Sequence, residues 1–464
     1  MADKELASVS ETTSGAAGAM EVTRPLVSGV VAVSVAAGHL EGTGLGPADT
    51  VAAMSSVAGT IGIAPYLAGE PMFWRPHNGI VETLEFKTNI LASRNGTEQR
   101  IKGRQAARQY FAMSLHLDTD KKNAWYNSVL HSNQKSAWYV PVWTEYAEFT
   151  GDIDKGDTAI SVDTTFADFR STSFAMIWKS DSQWEVVSVL SKTDSSLTLD
   201  YSVLGDYADD CLILPIRKCY LTQPAVRTRG TSPVASVKLV FSVWDNEDVT
   251  GYTRSAAWNT LVGAPAFDDC VDILSTPAFM DRTHTENSSA NVRVLDFQTG
   301  IFQLQNKSDF NRLVQDHVFY NDTKQACWEF RQLICALGGR QKTVLIPTFR
   351  DDLVQVSDIA PTDEKVTIEN IAMNDAGAND MRKYIGFYFE STSTLVVRAI
   401  TGTAWLSASL EQVTFDRGLD LPTVEPGDCR ICFIDKCRLS SDKVEIHWEF
   451  SHRNECRPNF LRVT

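Results

Sequence analysis

No run in the 464-residue chain stays apolar for the roughly 20 residues that a membrane-spanning helix needs. The best candidate, Pro25 to Ala37, is shorter and is interrupted by two serines and a glycine. Positive charge is scarce: 43 Lys and Arg stand against 58 Asp and Glu, a net charge of −15. That balance disfavours a surface that grips nucleic acid through phosphates and suits one past which DNA slides. The residues before Ser8 mix acid and base and lack the basic leader of a secretory signal. The N-x-S/T sequons at Asn95, Asn287, Asn306 and Asn321 therefore carry no information. Nine cysteines, an odd number without a regular framework, read as reduced thiols. GxSxG, HExxH, GxxxxGK[ST] and a strand-borne GxGxxG are all missing. The expectation is a protein that is not an enzyme, with no catalytic, cofactor-binding or metal residues.

Weaker chemical signals have plainer readings. Cys429, Cys432, Cys437 and Cys456, with His447 and His452 nearby, could begin a zinc site. Cys429 and Cys437 align with Cys211 and Cys219, but Cys432 aligns with Leu214, so the cysteines read as small apolar residues on buried strands. Asp152, Asp154 and Asp157 around Gly156 resemble half a calcium loop without its bidentate Glu, and read as a turn. Asp351 and Asp352 are adjacent, and neighbours on a strand face opposite ways, which misplaces them as a glycosidase acid pair. His131, His284, His317, His447 and His452 keep no fixed spacing to an acid or nucleophile.

What the chain does have is repetition. Asp210 to Leu221 reads DCLILPIRKCYL and Asp428 to Leu439 reads DCRICFIDKCRL, an ungapped match. Upstream, a helix-like segment with Trp125 leads to AWYVPVWTEY, and one with Trp328 leads to TVLIPTFRDD. Downstream, VKLVFSV (Val237 to Val243) is matched with VEIHWEF (Val444 to Phe450), both apolar at alternate positions. Pro141 and Cys219 are 78 residues apart and Pro347 and Cys437 are 90 apart, a difference that a longer loop absorbs at little cost. The expected architecture is mainly β (α+β): a tandem duplication of a β-sandwich with one flanking helix.

The boundaries follow. Residues 1–70, rich in Ala, Gly, Ser and Val, read as an arm; 71–248 as the first β unit; 249–291 as a connector; 292–464 as the second unit. Short strands about ten residues apart place an inserted small barrel or sandwich at about 148–214, with an equivalent at about 358–432. Asn95-Gly96 is expected to supply the positive-φ pair of a tight hairpin. Asp118, Thr119 or Asp120 should cap one helix and Asp322 or Thr323 the other, with Gly338-Gly339 as the stop. The basic cluster Arg94, Arg100, Lys102, Arg104 and Arg108 contains Glu98 and no interleaved aromatics, so it reads as pairing with acid on a neighbouring subunit. Aromatics fall mostly at alternating strand positions and read as core.

Val81 to Phe111 (VETLEFKTNILASRNGTEQRIKGRQAARQYF) is similar to a segment of structural proteins of tailed-bacteriophage tails, and Gly338 to Leu353 (GGRQKTVLIPTFRDDL) resembles a second tail-associated pattern. The positions carrying the likeness are Gly96, Glu98, Gln99, Arg100, Arg104, Arg108, Pro141, Trp143, Gly339, Arg340, Pro347, Phe349 and Asp351. The resemblance implies a minor tail protein of distal-tail or baseplate-hub type, with a tail-tube-like β-sandwich and no active site. It implies a hexamer, or a trimer with pseudo-sixfold symmetry, ringing the DNA channel without specific DNA binding. Tail tube, hub and fibre proteins would be its neighbours, with no membrane anchor; the location would be the virion tail, after assembly in the host cytoplasm. A carbohydrate-binding β module and a glycoside hydrolase are the rival readings.

Overall fold

The computed structural model describes residues 61–62, 67–208, 210–230, 234–247, 252–261, 270–278, 285–298, 300–374 and 383–463. Most of the expected arm over residues 1–70 lies outside the described residues; Ile61–Gly62 pairs in parallel with Trp184 and Glu185.

The fold is mainly β. Arg108–Leu117 buries Phe111, Met113, Leu115 and Leu117 on one face, the two-residue period of a half-buried strand. It lies antiparallel between His77–Glu85 and Ala235–Val243. Cys211–Leu221 serves two layers. Its first half pairs with Ala147–Phe149 and Ser173–Ser180 of the insert, its second with Trp138–Pro141 and Ala235–Val243 of the body. Arg430–Leu439 likewise joins Tyr384–Phe389 to Thr343–Pro347 and Asn459–Arg462. Each insert has its own apolar cluster, from Ala147 to Ile213 and from Leu353 to Phe433. The main core is shared: Leu333, Ile334, Leu337 and Trp448 join Met72, Trp138 and Phe241 in one cluster.

The two units make matching pairings. Pro141 faces Ile216, and Pro347 faces Ile434. Met176 faces Leu214, and Gly386 faces Cys432. Glu85 faces Arg108, and Ser289 faces Arg312. Thr88 faces Lys102, and Val292 faces Asn306. Thr119 and Thr323 cap the two matching helices, each at φ −124, and each hydroxyl accepts a backbone N–H. Lys324–Leu337 ends on Gly338 at φ 63, where a side chain would be strained.

One expected match changes. The place beside Arg108–Leu117 that Ala235–Val243 fills, with Ala235 facing Leu117, is filled in the second unit by residues from Asn454 onward, with Asn454 facing Asn321. Lys443–Phe450 instead stands where Val226–Arg229 stands in the first unit. It crosses to the other unit and pairs with His77–Glu85. Alternation records that a strand buries one face; it does not name the strand alongside.

The span read as a connector also contributes structure. Cys270–Ile273 adds a parallel strand to Thr343–Pro347, as Glu70–Pro71 does to Trp138–Pro141, and Glu286–Asp296 begins inside that span. At the hairpin tip Gly96 (φ 94) alone has positive φ, and its N–H donates to the Ser93 carbonyl. The loop is therefore a three-residue turn with a glycine bulge, where an Asn-Gly pair of positive φ was expected.

Candidate assembly interface

The first hairpin, Thr88–Ala92 with Glu98–Lys102, forms its own two-stranded sheet and folds against the second unit. Arg438 Nε and Nη2 donate to the two carboxylate oxygens of Glu98 at 2.7 and 2.8 Å, a bidentate pair. Arg100 Nη1 donates to the Gln341 carbonyl at 2.9 Å. Arg340 Nη2 donates to the Thr88 carbonyl at 2.9 Å and to Asp442 Oδ2 at 3.0 Å. Asp442 also accepts the Thr88 and Arg340 N–H groups at 2.8 and 2.9 Å. Burial alone would raise its carboxyl; these Arg340 and Thr88 donors hold it below the usual range. Gly339 (φ 72) lets the backbone pass here, since a Cβ would stand 2.6 Å from both Phe86 Cβ and Asp442 Oδ1.

Behind the hairpin lies a buried ionic cluster. Glu82, on His77–Glu85, is 0% exposed and accepts from Arg331 Nε at 2.7 Å, Gln109 Nε2 at 2.7 Å and Trp448 Nε1 at 3.0 Å. Arg331, on the second unit's helix and 4% exposed, also faces Glu145 at 3.6 Å. Burial would lower the Arg331 pKa, but Glu82 and Glu145 raise it well above its ordinary value. Glu145 is pushed up by burial despite Arg331. Asp168 contacts Arg217 and, at 2.8 Å, Arg170. Burial would raise its carboxyl, and the charges of Arg217, Arg170 and Arg331 hold it far below normal. A depressed carboxyl adds stability above its unfolded pKa and loses it as pH falls below about 4. Urea midpoints of the wild type should therefore drop over that window, and Asp168→Asn should flatten the drop; equal slopes would refute this role.

The sequence-derived positions divide in two. Glu98, Arg100, Gly339 and Arg340, drawn from two distant stretches, meet at this junction. Arg104 donates to the Glu85 carbonyl at 2.6 Å, and Arg108 stands opposite Glu85 with its side chain exposed. Arg100 and Arg104, read as pairing with a neighbouring subunit, each find a partner within the chain, at Gln341 and Glu85. Gly96 shapes the tip and Gln99 is exposed. Pro141, Trp143, Pro347 and Phe349 are core residues away from the junction, with Trp143 edge-on to Trp178 and Phe349 edge-on to Tyr388. Asp351 is exposed.

Glu82, Arg331, Arg438 and Asp442 were missed. Glu82 shares the buried face of Ile80 and Leu84, and Arg331 shares that of Cys327 and Ile334; a charge in phase with an apolar stripe was the available signal.

Other candidate chemistry is occupied by the fold. Asp157 Oδ2 accepts the Asp154 N–H at 2.9 Å, and the same turn recurs where Asp363 accepts the Ala360 N–H at 2.8 Å. Asp352 accepts the Phe433 N–H at 2.8 Å and the Thr348 hydroxyl. Burial pushes the Cys429 and Cys432 thiols up to about 12. Among the described residues no group of three or more His, Cys, Asp or Glu is placed to hold a metal. A cleft of about 590 Å³ lies along the seam, lined by Arg75, Trp143, Tyr146, His447, Trp448 and Phe450.

Compared with protein-family models and with curated proteins, the chain matches none.

Proposed function

We propose that this chain is a non-enzymatic structural component of a bacteriophage tail, a duplicated ring-forming subunit at the distal tail or baseplate hub. One observation carries the reading: the body sheet runs from one unit into the other through Lys443–Phe450 on His77–Glu85. A unit that extends its sheet into a like unit is a building block for a ring, because each joint removes an exposed edge. Matching pairings in the two halves support duplication, which would let three chains present six such units to a sixfold tube. The net charge of −15 suits a channel through which DNA slides. Tail tube, hub and fibre proteins are the proposed neighbours.

The sugar-binding alternative draws on the aromatics and the inserted barrels, and the seam cleft does not favour it. Trp143 and Trp448 there are 6% and 4% exposed, so neither ring offers a face for a sugar to stack on. Native mass spectrometry with negative-stain averaging tests the assembly reading. A trimeric or hexameric ring with a central hole is expected; a monomer at every concentration would overturn it.

A further inference from the structure

The joint between the two units uses one strand from each, and among the described residues the matching strand of each other unit is left with a bare edge. His77–Glu85 pairs with Arg108–Leu117 on one side and with Lys443–Phe450 on the other. Its counterpart Glu286–Asp296 pairs, among the described residues, only with Phe302–Asp316. Lys443–Phe450 pairs with Arg453–Cys456 on one side and with His77–Glu85 on the other. Its counterpart Val226–Arg229 pairs, among the described residues, only with Ala235–Val243. One chain therefore carries both halves of a second joint, on different units.

We infer that a second copy of this chain covers these edges head to tail: Glu286–Asp296 of one copy adds antiparallel to Val226–Arg229 of the next. This rests on the assembly reading above and names its contact. The register follows from the joint already formed. Val444 faces Leu84 and Ile446 faces Glu82. Ser288 holds the place of Leu84 and Glu286 that of Glu82, since they face Leu313 and Gln315 as Leu84 and Glu82 face Gln109 and Phe111. Arg227 holds the place of Ile446, since it faces Val237 as Ile446 faces Cys456, so Arg227 should face Glu286 and Val226 should face Asn287.

The chemistry is complementary. In the formed joint the carboxylate Glu82 meets a strand reading VEIH and draws its positive charge from the helix through Arg331. In the open joint Glu286 would meet a strand reading VRTR, which brings the charge itself at Arg227 and Arg229. The hairpin contact converts similarly. Glu98, opposite Ala92, pairs with Arg438; the matching positions are Phe302, opposite Asp296, and Tyr220, which follows Cys219 as Arg438 follows Cys437. Phe302 is 61% exposed, and Val226, Val294, Leu304 and Trp244 are exposed beside these edges. An ion pair within the chain becomes an apolar contact between chains, and the bare apolar edges are what a second copy would cover.

Single-cysteine exchange on the full chain tests this. Val226→Cys and Asn287→Cys chains, mixed and oxidised with copper-phenanthroline, should give a covalent dimer at least tenfold faster than either alone; a chain carrying both should give a ladder. Both positions are exposed, and unchanged thermal midpoints check the fold. Thr228→Cys with Thr285→Cys is the second in-register pair. Oligomers on native mass spectrometry without cross-linking of either pair overturn the joint and leave the tail reading standing. A monomer throughout overturns both.

Discussion

Arg331→Met is expected to be the most damaging single change in the described structure, lowering stability by about 3–5 kcal/mol, the cost of stranding a buried charge. Glu82 would keep Gln109 and Trp448 as neutral donors but lose its cation, and Glu145 would lose the guanidinium that faces it at 3.6 Å. Met fills much of the same volume, so the loss reports charge and not a cavity. The effect should also change the shape of unfolding. Glu82 belongs to the first unit and Arg331 to the second, so the cluster helps make the halves melt together. Urea unfolding should show a lower midpoint and a broader transition than wild type. Glu82→Gln on top of Arg331→Met should restore part of the loss, because a neutral amide costs less to bury than an unpaired carboxylate. An unchanged midpoint in Arg331→Met would mean that water reaches this cluster and screens it.

The strands were legible because alternation is a direct print of burial. Phe111, Met113, Leu115 and Leu117 mark their face without help from other segments. The helix caps were legible for the same local reason: a Thr hydroxyl needs only the N–H groups of the next turn. The repeat was visible where buried strands constrain both copies, at Cys211–Leu221 and Arg430–Leu439. It was invisible in the hairpins, although Thr88 on Lys102 and Val292 on Asn306 sit in the same register. Hairpin surfaces face different surroundings in the two units: one docks on Arg438 and Asp442 and the other stands exposed, so their side chains differ although the pairing matches. The pairing of Lys443–Phe450 was illegible for a deeper reason. Which strand lies alongside is decided by the path of the chain and by a few cross-strand contacts, Glu82 with Trp448 among them, separated by hundreds of residues.

Gly339→Val should open the junction that the two resembling stretches form. Two costs add at this position. The backbone is left-handed at φ 72, which costs a residue with a Cβ about 1–2 kcal/mol and a β-branched one more. The new Cβ would stand 2.6 Å from Phe86 Cβ and from Asp442 Oδ1, and relieving such overlap costs about 1–3 kcal/mol. Asp442 cannot retreat cheaply, because it already holds Arg340 and the Thr88 N–H. Phe86 cannot either, since its own N–H is bound to the Asp442 carbonyl at 2.7 Å. The strain should therefore be released by the hairpin lifting away, breaking Glu98 from Arg438 and Arg100 from Gln341. Amide exchange over residues 88–102 should rise by at least tenfold while exchange in the insert strands Ser173–Ser180 and Tyr384–Phe389 stays as in wild type. Gly339→Ala should give a smaller rise in the same place. Exchange that rises everywhere would mean that Gly339 supports the shared core and not the hairpin contact. Exchange that rises nowhere would mean that the loop after the helix can shift its backbone, and that the glycine is not required by the junction.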